Sequence, residues 1–142
     1  KSLREISVSD FVSRKSELDS TTYMRAFHAV TEMKRVLDAV SALERSDFLT
    51  FGKIVSECHQ SLRDNYTVSY PELDLAADTA NKYGALGARM IGGGFGGSAI
   101  ALVKSGEVEK IKAKIAEEFE LAEFKAPRFF ISTPHQGARV LN

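Results

Sequence analysis

Cysteine is nearly absent from this sequence: Cys58 is the only one in 142 residues, and there is no tryptophan. A single thiol can neither close an internal disulfide nor contribute to a zinc site built from several thiolates, and it fits a reducing compartment, so a cytoplasmic location is expected. No excess of either charge exists, with 19 Lys plus Arg against 19 Asp plus Glu. No net field therefore draws the protein towards nucleic acid or an anionic membrane, and any bound anion must be met by local groups. Long apolar runs are missing as well. The longest, residues 99–103, falls far short of the roughly 20 residues that a membrane helix needs, and Lys1-Ser2-Leu3-Arg4-Glu5 has no signal-peptide pattern. No nucleic-acid or membrane partner is expected. No His, Cys, Asp or Glu group shows the spacing of metal ligands, so no metal held by this segment alone is expected. The first residue is Lys rather than Met, and we read residues 1–142 as one domain cut from a longer chain.

What is present is helical periodicity. Tyr23, Phe27, Val30, Met33, Leu37, Val40 and Leu43 recur at intervals of three and four, which predicts a long helix over 21–44. After Ser46-Asp47, Phe48, Phe51, Val55, Cys58 and Leu62 predict a second helix, antiparallel to the first, ending at Asp64-Asn65. Ser69-Tyr70-Pro71-Glu72 reads as a helix start with a capping residue, a Glu three positions on and a proline in the first turn. Leu73, Ala76, Ala77 and Ala80 follow on one face, and Gly84 ends the helix. The short apolar stretches 86–91 and 98–103, parted by glycines, predict a β-hairpin with a six-residue connection. Val108, Ile111, Ile115 and Phe119 predict a solvent-facing helix, and residues 128–132 a lone strand closed by Pro134. The expected class is α+β, with helices packed on one face of a small antiparallel sheet. Residues 1–20 carry no clear pattern.

The strongest chemical signal is Gly92-Gly93-Gly94-Phe95-Gly96-Gly97. Five glycines in six positions remove the side chains that would keep backbone amides from a ligand, and such a loop can form an anion-binding nest. Gly92, Gly94 and Gly97 also satisfy G-x-G-x-x-G, but the helix that a dinucleotide site requires next is replaced by a short run cut off at Lys104-Ser105-Gly106. A P-loop fails because Ser98-Ala99 stand where Lys and a hydroxyl residue belong. A protein-kinase lid fails for want of an H-R-D or D-F-G segment. From the residues alone, a ligand-facing nest and a tight bulged turn both remain open.

Residues 84–97, Gly84-Ala85-Leu86-Gly87-Ala88-Arg89-Met90-Ile91 followed by the glycine run, closely resemble the third signature motif of galactokinases among the GHMP kinases. Arg25-Ala26, His28, Glu32 and Arg35 resemble a second stretch of that family. Ser61-Leu62-Arg63-Asp64 with Val68-Ser69, Pro71 and Glu72-Leu73-Asp74 resemble a third. Cys58 stands before His59 where relatives usually have Ser, and Ser98 stands where many carry Cys. Gly137-Ala138 resembles the family's ending.

The resemblance implies a ferredoxin-like C-terminal domain of an enzyme that moves the γ-phosphate of ATP, with Mg²⁺, to the 1-hydroxyl of galactose. Its partners would be galactose, ATP and its own N-terminal domain. The two other signatures, G-R-x-N-L-I-G-E-H-x-D-Y and the proline-led G-L-S-S-S-A loop, are absent from the sequence. In relatives these carry the main phosphate loop, the Mg²⁺ contacts, the sugar contacts and the catalytic Asp and Arg. No catalytic residue is therefore expected here, and Gly92, Gly93, Gly94, Phe95, Gly96, Gly97 and Ser98 are the expected active-site edge. A kinase acting on N-acetylgalactosamine, and a sensor that binds galactose and ATP without turnover, are the alternatives. Arg25, His28, Glu32 and Arg35 fall on one helical stripe, facing the missing domain or forming a surface ion-pair row. Arg89, a lone charge in an apolar strand, must have a partner and could hold a carboxylate or a phosphate. His59 is expected to be a packed histidine rather than a base, and His135 has still less claim to catalysis.

Overall fold

The long apolar periodicity is realised in a computed structural model that describes residues 2–134 and 137. Five α-helices follow in order: α1 (Val8–Ser13), α2 (Ser20–Glu44), α3 (Phe48–Ser61), α4 (Pro71–Lys82) and α5 (Val108–Leu121). Between α4 and α5 lie the strands β1 (Gly87–Ile91) and β2 (Ser98–Leu102). They pair antiparallel, with Gly87 opposite Leu102, Met90 opposite Ala99 and Ile91 opposite Ser98, so the expected hairpin is present. The class is α+β, helices against a small antiparallel sheet. No helix among the described residues is long and apolar enough to cross a membrane.

Helix ends follow local chemistry. Asp19 caps α2 by accepting the N–H of Thr22 at 3.0 Å, and Asp47 caps α3 by accepting that of Thr50 at 3.0 Å. Between the two helices Ser46 adopts a left-handed φ of 56°, which turns the chain back. Contacts His28–Ser61 and Glu32–Cys58 run in opposite directions along the two helices, confirming that they are antiparallel. The capping box read at Ser69 is not formed. Pro71 does sit in the first turn of α4, but no side chain caps that helix, and the Ser69 hydroxyl turns instead to the Asp74 carboxylate. Residues 2–19 contain α1 and two short 3₁₀ turns, with Phe11 stacked on Tyr23 at 5.1 Å.

One face of the hairpin is covered by α4 and α5, through Ala77, Ala80, Ala88, Ile111, Ile115 and Phe119. A second cluster, Cys58, Leu62, Leu73 and Met90, joins α3, α4 and β1. The expected lone strand at 128–132 is corrected: these residues join no ladder, and Phe130 is 90% exposed. Strand composition permits a ladder without forming one. The outer edge of β1 is taken by α3, no described strand joins the far edge of β2, and Phe129 lies near α5, with the Lys112 ammonium 5.9 Å from its ring. His135 and Ala138 lie outside the described residues.

Candidate functional site

Helix α3 lies against β1 closely enough for the two backbones to touch. A Cβ built on Gly52 would sit 2.1 Å from the Leu86 carbonyl oxygen, and one on Gly87 would sit 1.9 Å from the Gly52 carbonyl oxygen. Beyond this point the edge of β1 turned away from β2 is met by α3 side chains. The N–H of Ala88 donates to Ser56 Oγ at 3.3 Å, and the N–H of Met90 donates to His59 Nδ1 at 3.2 Å. Residues i and i+2 of a strand point the same way, and residues i and i+3 of a helix share a face, so the two spacings match. Two edge donors that would otherwise be buried without partners are thereby satisfied.

The same track continues into the glycine loop. After α3 the chain makes a π-helical turn, Leu62–Tyr66, and leaves it through Thr67, whose φ is 59°. Val68 then accepts the N–H of Phe95 at 2.8 Å. A Cβ on Gly94 would lie 2.3 Å from the same Val68 oxygen, so glycine is required there for space as well as for its φ of +89°. Residues 92–97 thus rest on Val68 from below. Around Gly92, Gly93, Gly96 and Gly97 an added Cβ would meet nothing within 4 Å. Gly92, Gly96 and Gly97 have left-handed backbone, which accounts for them. Gly93 has neither that backbone nor a close neighbour. Phe95 is 72% exposed, and Ser98, opposite Ile91 at the start of β2, is exposed beside the loop.

The stripe on α2 divides. Arg25 is exposed. His28 is buried, with Nδ1 3.0 Å from Ser61 Oγ and its ring tilted against Tyr66, centroids 4.8 Å apart. Glu32 is a hub: Arg35 Nε donates to it at 2.8 Å, Cys58 Sγ donates at 2.9 Å, and an Arg89 guanidinium nitrogen is 3.5 Å away. Arg89, for which a carboxylate or phosphate partner was expected, thus holds the Glu32 carboxylate and ties β1 to α2. Burial pushes the Glu32 carboxyl up, but the hydrogen bonds from Cys58 and Arg35 with the two guanidinium charges outweigh it, leaving it below its ordinary 4.5. Burial and the Glu32 contact push the Cys58 thiol up to about 12, so it is a hydrogen-bond donor rather than a nucleophile. A serine there would donate to the same carboxylate, which makes the departure from the family's residue mild.

Glu32→Gln is expected to lower stability by roughly 1–3 kcal/mol, because two half-buried guanidinium groups lose their counter-charge. A group with a depressed native pKa contributes stability above its unfolded value and loses it as pH falls through the native one. Wild-type stability should therefore decline below about pH 4.5 more steeply than that of the Gln variant, as urea melts across pH 3–7 would show.

Sequence reasoning found the glycine run but not the residues that hold it: Ser56, His59, Val68 and the Ser69–Asp74 pair. The i, i+3 spacing of Ser56 and His59 was legible, but its meaning depends on strand register. Among the described residues no group of three His, Cys, Asp or Glu could hold a metal ion.

The sequence matches the family model described as GHMP kinases C terminal over residues 39–121. A galactokinase of Streptomyces coelicolor is 44% identical over 141 residues, covering 98% of this chain and 36% of that protein. One of Haemophilus influenzae is 38% identical over 148 residues, covering 99% and 38%. The crystal structure of Lactococcus lactis galactokinase complexed with galactose superposes with a TM-score of 0.84 at 38% identity, covering 89% of this chain and 34% of that one. The chain therefore spans a little over a third of the length of these relatives.

Proposed function

The chain belongs to the GHMP kinase family as its C-terminal domain, and we propose that it is the C-terminal part of a galactokinase, which transfers the γ-phosphate of ATP to the 1-hydroxyl of galactose. Its part in that reaction is to bring the glycine loop, residues 92–97 with Ser98, against the phosphates held by the rest of the protein. The observation that carries this reading is Gly93. Neither its backbone angle nor any neighbour among the described residues requires a glycine there, and, lying within the glycine run, it leaves open space where a group from outside can approach the loop.

Phosphoryl transfer relies on positioning and charge stabilisation more than on bases, so backbone amides fixed beside the phosphates can matter without a catalytic side chain. No step is assigned to Mg²⁺ through the described residues, among which no group of three His, Cys, Asp or Glu could hold an ion. Large apolar side chains are exposed on several elements, with Leu37 and Leu49 at 70%, Phe95 at 72%, Phe130 at 90% and Ile131 at 68%, and those that meet the remainder of the protein would be covered by it.

The test is ATP-dependent phosphorylation by the full-length protein with galactose and with N-acetylgalactosamine, beside the 142-residue chain alone. Turnover of galactose by the full-length protein only is the expected result. Preference for N-acetylgalactosamine, or sugar binding without turnover, would replace the substrate assignment. Activity of the 142-residue chain would overturn the division of labour.

A further inference from the structure

We propose that His59 is a positioning residue for the glycine loop: it accepts the Met90 N–H on an unprotonated Nδ1, fixes β1 two residues before the loop, and frees it when it takes a proton.

Met90 is 1% exposed and its N–H faces away from β2, so it has no route to water and takes Nδ1 of His59 as acceptor at 3.2 Å. A backbone N–H can only donate, so Nδ1 carries no proton and Nε2 carries the proton of the neutral ring. Nε2 lies 3.2 Å from Asp74 Oδ1, near enough for attraction but without the alignment of a hydrogen bond. Asp74 also accepts from Ser69, the residue after Val68. The loop is therefore anchored at both ends of one short path: Met90 on His59 before it, and Phe95 on Val68 within it.

Adding a proton to Nδ1 sets one N–H against another, and the anchor becomes a repulsion. His59 is 2% exposed but borders a cavity of about 330 Å³ with Ser56, Arg63, Asp78 and Asn81, which gives a proton a path to it. The charges that face the ring oppose one another. Asp74 and Asp78 on α4 favour the protonated form, and Arg63 in the π-helical turn and Arg89 on β1 disfavour it. Burial is the largest influence and holds His59 below its ordinary 6.5. The anchor is thus complete at neutral pH and fails on the acid side.

This inference rests on the reading of the loop as a phosphate-facing edge, and the experiment separates the two. Two substitutions split the ring's functions: His59→Asn keeps an acceptor oxygen near Nδ1 but cannot be protonated, and His59→Gln reaches towards Asp74 and leaves Met90 without an acceptor. In the full-length protein at pH 7.5, hydrogen exchange in a peptide spanning residues 90–97 should be at least tenfold faster in His59→Gln than in wild type, and near wild type in His59→Asn. kcat/KM for ATP should fall by tenfold or more in His59→Gln and stay within a few fold in His59→Asn. The acid limb of the wild-type pH profile should flatten in His59→Asn. Equal exchange in the two variants, or an unchanged acid limb in His59→Asn, would overturn the proposal. If exchange behaves as expected while the wild-type protein phosphorylates no galactose, the positioning role stands and the substrate assignment fails.

Discussion

Gly52→Ala is expected to cost the full-length protein more than about 3 kcal/mol, the upper end of what overpacking usually does. The new methyl group would lie 2.1 Å from the Leu86 carbonyl oxygen and 2.4 Å from its carbon, well inside van der Waals contact. The obstacle is backbone, so no flexible side chain can swing aside, and α3 must move off β1. Moving it also lengthens the Ala88–Ser56 and Met90–His59 hydrogen bonds, at 3.3 and 3.2 Å already without slack. Gly87→Ala intrudes on the same contact from the other side, 1.9 Å from the Gly52 carbonyl oxygen, so the double substitution should cost less than the two single costs added together. Gly106→Ala, where an added Cβ would meet nothing within 4 Å, is the control and should leave the melt within about 0.5 kcal/mol. Chemical denaturation midpoints check all four proteins. A Gly52→Ala protein as stable as wild type would mean that the helix can slide along the strand, and the account of the loop's support would then lose its first fixed point.

That contact also shows where sequence reasoning stops. The helices were legible because side chains of one kind recur at helical spacing: Ile111, Ile115 and Phe119 on α5 are buried where the pattern puts them, whereas on α2 only Val30 of the stripe is buried and Met33, Leu37, Val40 and Leu43 are exposed. The hairpin was legible because glycines separate two short apolar runs. Residues 128–132 carry the same β-rich composition, yet composition reports only that a strand is affordable, and the partner edge that makes it one is a matter of the whole sheet. Gly52 sits in a helix with no local role, and its reason lies 34 residues away at Leu86. Arg89 was recognised as needing a partner, but nothing in the sequence distinguishes the Glu32 carboxylate from a bound phosphate. Of the site, the glycine run could be read directly, and its supports could not, because Ser56, His59 and Val68 act through backbone groups whose orientation only the register reveals.

Gly93 and Gly94 give the sharpest separation between holding the loop and using it. In Gly94→Ala the added Cβ meets the Val68 oxygen at 2.3 Å, at a φ of +89° that L side chains rarely adopt, so the Phe95–Val68 hydrogen bond breaks and the loop shifts. Strain of that kind costs about 1–3 kcal/mol. A displacement on the order of 1 Å near transferring phosphates is enough for a loss of about 100-fold in kcat/KM for ATP. Gly93→Ala has an ordinary backbone and open space around it, so stability should hold or rise slightly, since alanine restricts the unfolded chain. Its activity should nevertheless fall, because the methyl group occupies the space that the outside group needs. Steady-state kinetics and thermal melts on the two full-length variants check both halves: stability and rate fall together in Gly94→Ala, and rate alone falls in Gly93→Ala. A fully active Gly93→Ala protein would show that nothing approaches the loop at that point, and the glycine run would then be a turn shaped by Val68 rather than the edge of a phosphate site.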